Sequence, residues 1–199
     1  MKYINNQTLS DPVSFSTAIL NSLPAPGSLY IPSHFPRPPA FEQQSFTQYA
    51  DLFIQDFIQD DPFFNKADSL FHNSIQFYPK TMEFGDQHHF LELFHGPSLS
   101  FKDFGAHFLA ECLQHIPQQK QRLIIVATSG DTGSAVAAAF HQRANTRVVI
   151  LYPKDGVSDR QAHQLSCWGD NITTIAAADA LSLDYNVGSS HSDTLSNKK

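Results

Sequence analysis

The sequence predicts an α/β protein in which a small N-terminal helical layer leads into a partial parallel βαβ sheet. Three observations predict it. Apolar runs at 90–94, 123–128 and 148–152 have the length of buried strands. Helical patterns separate them: Phe101, Phe104, Phe108, Cys112 and Ile116 recur every three or four residues, and Ala135 to Phe140 is compact and helix-favouring. The connections between these elements are short, as in parallel sheets built from right-handed crossovers.

Three regions follow along the chain. Residues 1–80 read as the mostly helical segment. Ser10-Asp11-Pro12 is a helix start, a capping side chain followed by proline, and Phe15, Ile19, Leu20 and Leu23 then keep helical spacing. A proline-rich connector over 24–41 holds an extended piece at Leu29–Ile31. A second helix is predicted over Phe46–Gln59, and Asp61-Pro62 starts a third that runs to about Phe77. Residues 81–175 form the α/β domain, of three or four parallel strands. Residues 176–199, rich in serine and alanine, read as a polar, disordered tail. Parallel sheets need cover on both faces, so this short sheet predicts association through an uncovered edge.

Composition narrows the function classes. With 41% hydrophobic and 16% charged residues this is an ordinary globular protein, and a net charge of −6 with no basic stripe argues against nucleic acid or an anionic membrane. The polar opening MKYINNQ leads into no long apolar run, so neither signal peptide nor membrane span is expected. Cys112 and Cys167 lie far apart, outside any CxxC pattern, which suits two reduced thiols in the cytoplasm. His88, His89 and His95 cluster in sequence without metal-ligand spacing, and no metal site is expected.

Chemistry concentrates in three stretches. In ELFHGPSLSFKDFGAHF (92–108) a strand ends near His95, Gly96-Pro97 turns the chain, and Ser98 or Ser100 can cap a helix from about Phe101. Lys102 then stands in the first helical turn, where the helix dipole and desolvation by Phe101 and Phe104 favour the neutral, nucleophilic amine; Asp103 would oppose this if it came close. A lysine with its stem over the phenylalanines and its head in water is the commoner arrangement. In LIIVATSGDTGSAVAAAF (123–140) a strand runs into a loop of small residues and then a helix. Thr128, Ser129, Gly130, Thr132 and Gly133 offer N–H groups and hydroxyls that suit an anion, though a bare strand-to-helix turn has the same composition. The loop is neither a Walker loop nor a dinucleotide fingerprint. In VVILYPKDGVSDRQ (148–161), Lys154 follows a strand end, within reach of the same crevice or simply solvated.

Together these stretches resemble threonine synthase, a pyridoxal-phosphate enzyme family of the tryptophan-synthase-β-like fold. LELFHGPSLSFKDFGA is similar to the family's cofactor-lysine motif, TSGDTGSAVA to its glycine loop, VVILYPK to the following strand, and GSLYIP to a GGLYVP-type segment. The similarity runs from about residue 10 to about 172, the N-terminal part of such an enzyme, which implies a truncated version of the fold. It implies that Lys102 is catalytic and holds pyridoxal 5'-phosphate as an aldimine. Asp131 approaches the cofactor's 3-oxygen, and the loop from Thr128 to Gly133 binds the substrate's α-carboxylate. The implied reaction turns O-phospho-L-homoserine and water into L-threonine and phosphate. Asp155-Gly156 stands where the family has a glycine-cation pair, which sets phosphate recognition by this loop apart. From about Thr174 onward no resemblance is found, and the second glycine-rich loop that cradles the cofactor phosphate is not seen. A shortened or frame-changed chain of little activity by itself is expected. Two alternatives remain: a non-catalytic anion-binding module that pairs with a second chain, and another pyridoxal-phosphate-dependent lyase or deaminase.

Overall fold

The computed structural model describes residues 1–40, 45–64 and 70–177. The chain opens with β1 (Tyr3–Asn5), which pairs antiparallel with β2 (Tyr30–Pro32), Ile4 opposite Ile31. The extended piece expected at 29–31 is thus present, and its partner lies in the polar opening. Helix α1 (Phe15–Asn21) starts later than Ser10-Asp11-Pro12 predicts. Backbone bonds between Tyr3 and Val13 hold the chain extended past that point, with N–H to O distances of 2.9 and 2.8 Å. Ser14 then serves as the cap, accepting the Thr17 N–H.

Helix α2 (Phe46–Ile58) matches the expected span and begins with a Ser45/Gln48 capping box. The third helix does not start at Asp61-Pro62 and stops short of Phe77. Residues 61–64 form a turn, 65–69 lie outside the described residues, and α3 is described over Leu70–Ser74. Asp61 holds the turn. Its buried carboxylate accepts the N–H groups of Ser16 (2.7 Å) and Phe63 (3.0 Å), so it braces α1 and tightens its own turn.

The strand expected at 90–94 is present but belongs to a different structure. β3 (Lys80–Phe84) and β4 (His88–Glu92) form a two-stranded antiparallel hairpin outside the parallel sheet. The side chains of Met82, Phe84, Phe90 and Leu91 are exposed. The parallel sheet has the order β5-β6-β7: β5 (Arg122–Ala127), β6 (Thr146–Pro153) and β7 (Ile172–Ala177). Helix α4 (Lys102–His115) precedes it, α5 (Asp131–Phe140) joins β5 to β6, and α6 (Asp159–Ser166) joins β6 to β7. The Arg122 guanidinium donates to the Leu113 and Ile116 carbonyls, satisfying the end of α4 and tying it to β5.

One face of this sheet is dry. Val148, Ile150 and Ile172 pack with Ala110, Phe140 and Leu165 of the helices in one core. The N-terminal layer joins it through aromatic contacts, Phe77 edge-on to Phe104 at 5.0 Å and Phe71 tilted against Phe108 at 6.0 Å. The other face is open: Leu123 and Ile125, which alternate with the inward residues of β5, are 58% and 63% exposed.

Candidate active site

Two turns meet at Lys102. The first, residues 96–101, leads into α4. Ser100 accepts the Lys102 N–H at its hydroxyl (3.3 Å) and the Asp103 N–H at its carbonyl (3.1 Å). Ser98 does not cap the helix; its N–H donates to the Asp103 carboxylate (2.9 Å), and its carbonyl accepts from the Gln164 side chain on α6 (3.1 Å). Asp103 is fully buried. A Cβ at Gly96 would collide with its Oδ2 and lie 2.8 Å from its Cβ and Cγ, so glycine here makes room for that carboxylate.

The second turn, residues 128–133, leads from β5 into α5. The buried Thr128 hydroxyl accepts two N–H groups, from Gly130 (3.0 Å) and Gly133 (3.1 Å). Gly130 has φ +152°, where a side chain is strained. With those bonds made, the N–H groups of Ser129, Asp131 and Thr132 have no partner among the described residues, and all three residues are exposed. They line the mouth of a backbone nest at a helix N-terminus, a favourable seat for an anion. Thr128, Gly130 and Gly133 brace the turn from within, while Ser129, Asp131 and Thr132 are its exposed residues.

The Lys102 ammonium reaches this second turn. Its Nζ is 3.7 Å from Asp131 Oδ2 and 4.7 Å from the centroid of the Phe101 ring, with the side chain 33% exposed. Of the two phenylalanines expected beside the amine, one stands there. Phe101 lies under the amine, but Phe104 turns away to pack on Phe46 and Phe77. Asp103 points inward to Ser98, and the carboxylate beside the amine belongs to Asp131. A carboxylate and an aromatic face together hold an ammonium in place without ligand.

Lys154 is exposed in the turn after β6; its N–H continues the ladder to Ala177 O (2.9 Å), and its ammonium makes no hydrogen bond or ion pair with the two turns among the described residues. Sequence reasoning missed α6. Its signal was present, since Ser158 and Gln161 form a capping box that reads as S-x-x-Q. This helix touches both turns, through Gln164 at Ser98 and through Gln161 and Leu165, whose side-chain atoms lie against Gly130 and Gly133.

Residues 84–193 match the family of pyridoxal-phosphate dependent enzymes. The chain belongs to that family. That match extends to residue 193, while individual threonine synthases cover 88–89% of this chain. Threonine synthase from Buchnera aphidicola subsp. Baizongia pistaciae is 36% identical over 88% of this chain and 43% of its own length. The crystal structure of threonine synthase from Escherichia coli superposes with a TM-score of 0.79 at 34% identity, covering 89% of this chain and 43% of that one. A pyridoxal-phosphate-bound threonine synthase from Brucella melitensis gives a TM-score of 0.72 at 27% identity, over 88% and 41%. The chain spans well under half the length of these relatives. The family's cofactor is an aldehyde, and the residues here fit it: a half-exposed primary amine stands at the mouth of a nest whose outward N–H groups lack partners.

Proposed function

We propose that this chain carries the lysine and the carboxylate seat of a threonine synthase, which converts O-phospho-L-homoserine and water to L-threonine and phosphate. The observation that carries the reading is the approach of Lys102 Nζ to Asp131 Oδ2 at 3.7 Å, which brings together two motifs far apart in sequence. In this reading Lys102 is the covalent anchor of the cofactor and, once released, the base at Cα. Its Nζ would take the Cα proton and then a Cβ proton as phosphate leaves Cγ; one proton goes back to Cγ, the hydroxyl of water adds at Cβ, and the last proton returns to Cα. The N–H groups of Ser129, Asp131 and Thr132 would hold the substrate carboxylate, and Asp131 would be among the residues that hold the cofactor. The bound pyridoxal phosphate supplies the electron sink for carbanions formed on the substrate. Gly96, Asp103 and Gln164 keep the Lys102 turn in position. Lys154, exposed at the end of β6, supplies a cation for the anionic substrate.

The test is borohydride trapping with pyridoxal phosphate followed by peptide mapping. Lys102 is expected to take most of the label, and Lys102→Ala to lose it; a dominant label on another lysine would overturn the assignment. Phosphate release from O-phospho-L-homoserine by the chain alone is expected to be slight, and turnover like that of a full-length enzyme would refute this part.

A second reading rests on the open sheet face. Exposed Leu123 and Ile125 suit a non-catalytic module that pairs with another chain. Native mass measurement separates the two: a stable complex with no labelling of Lys102 favours the module, and a labelled monomer favours the enzyme.

A further inference from the structure

We propose that the Gln161 carboxamide is a further binding residue of the nest at 129–132, donating a hydrogen bond from Nε2 to the carboxylate held there. The inference deepens the proposed function and rests on its assignment of the nest.

The orientation of this amide is fixed by the start of its own helix. Gln161 Oε1 accepts both the Ser158 N–H (3.1 Å) and the Ser158 hydroxyl (3.0 Å), while the Gln161 N–H donates back to Ser158 Oγ (3.3 Å). Turning the amide over would set its NH2 against a backbone donor, so the network assigns the oxygen to Ser158. The nitrogen is therefore left pointing away from the cap. It points at Gly130: a Cβ built there would lie 2.7 Å from Gln161 Nε2. Absence of a side chain at Gly130 thus lets the loop close around Thr128 and also admits the amide to the edge of the nest.

Nε2 has no hydrogen-bond partner among the described residues, like the neighbouring N–H groups of Ser129, Asp131 and Thr132. A carboxylate has about four acceptor positions, more than three peptide groups on one side of it fill. Electrostatics favour the same placement. The Asp131 carboxylate would repel an anion at the nest, but the Lys102 ammonium beside it offsets that charge. A neutral amide donor adds attraction without disturbing this balance. The capping box therefore does two things: it begins α6, and it aims a pre-oriented donor at the ligand, which reduces the entropy lost on binding.

The experiment uses the full chain labelled with nitrogen-15 and titrated with L-threonine as the carboxylate probe. The side-chain NH2 resonances of Gln161 are expected to move along the same binding curve as the backbone amides of Ser129, Asp131 and Thr132. Gln161→Glu separates binding from structure, because glutamate still closes the capping box but presents oxygen where nitrogen stood. Its thermal midpoint should stay at the wild-type value while L-threonine affinity falls by about tenfold to a hundredfold, the usual worth of a hydrogen bond to a charged group. The inference is overturned if the nest amides move without the Gln161 resonances, if Gln161→Glu binds like wild type, or if no nest amide responds. Labelling of Lys102 by pyridoxal phosphate is scored separately: if it persists while the Gln161 result fails, only this inference falls.

Discussion

The turn at 96–101 is organised around a carboxylate, and the turn at 128–133 around a hydroxyl. In the first, Asp103 reaches back from α4 to accept the Ser98 N–H, and Gly96 clears the space it occupies. In the second, Thr128 reaches forward to accept from Gly130 and Gly133, and Gly133 clears space for apolar groups: a Cβ there would lie 2.5 Å from Thr128 Cγ2, 2.7 Å from Leu165 Cδ2 and 3.0 Å from Ile150 Cγ2. The difference has a functional logic. A turn that presents an amine tolerates a buried negative charge behind it. A turn that must receive an anion is better built from a neutral group, which leaves its own N–H dipoles uncancelled.

The sharpest way to break the comparison is Gly96→Ala. The added methyl displaces a fully buried carboxylate and with it the Ser98 bond, so overpacking and a lost charge-assisted hydrogen bond add to about 3 kcal/mol. Urea unfolding measures this, and a wild-type midpoint would show that Asp103 does not organise the turn. Gly133→Ala should cost less, about 2 kcal/mol, because apolar neighbours can yield and alanine favours α5. If it proved the more damaging of the two, the apolar seat rather than the carboxylate would be the stricter constraint. Gln164→Met, which removes the α6 bond to Ser98 O but keeps the volume, should cost about 1 kcal/mol. Because that bond sets the Lys102 turn, the borohydride-trapped fraction at Lys102 should fall relative to Lys154, a ratio that uniform destabilisation leaves unchanged.

The same two turns show what a sequence discloses. Both glycine turns and the strands β5 and β6 are legible as structure, because a short apolar run leading into small residues and then a helical pattern marks a strand-turn-helix unit; the roles given to Lys102 and Asp131 rest on the family resemblance. The strand near residue 90 is legible as a strand but not as a hairpin. An apolar run does not state its partner, and β3, with Lys80 and Glu83 among its residues, lacks the apolar run that would have announced the pair. The Lys102 surroundings were misread for a related reason. Spacing puts Phe104 near the amine along the helix, whereas tertiary packing turns it onto Phe46 and Phe77 and brings in Asp131 from another element. The cap of α6 was readable from Ser158 and Gln161, but its contacts with two distant turns were not.

The smallest expected effect probes the interior side of the Lys102 helix. His107 lies one turn beyond Asp103, edge-on to the Phe77 ring at 5.5 Å, and its Nε2 is buried without a partner among the described residues. Burial holds its imidazole below the ordinary value of 6.5; Arg143 pushes the same way, and Asp103 opposes. The sign follows from linkage. Between the depressed folded value and about 6.5 the unfolded chain binds more proton at this site, so the stability His107 contributes is complete above that window and declines as pH falls through it. Unfolding free energies taken at pH 7.5 and 5.5 should therefore differ more in wild type than in His107→Gln, which cannot titrate. Equal pH dependence in the two proteins would mean that the imidazole is already solvated, and that α4 is not sealed by the N-terminal layer at Phe77.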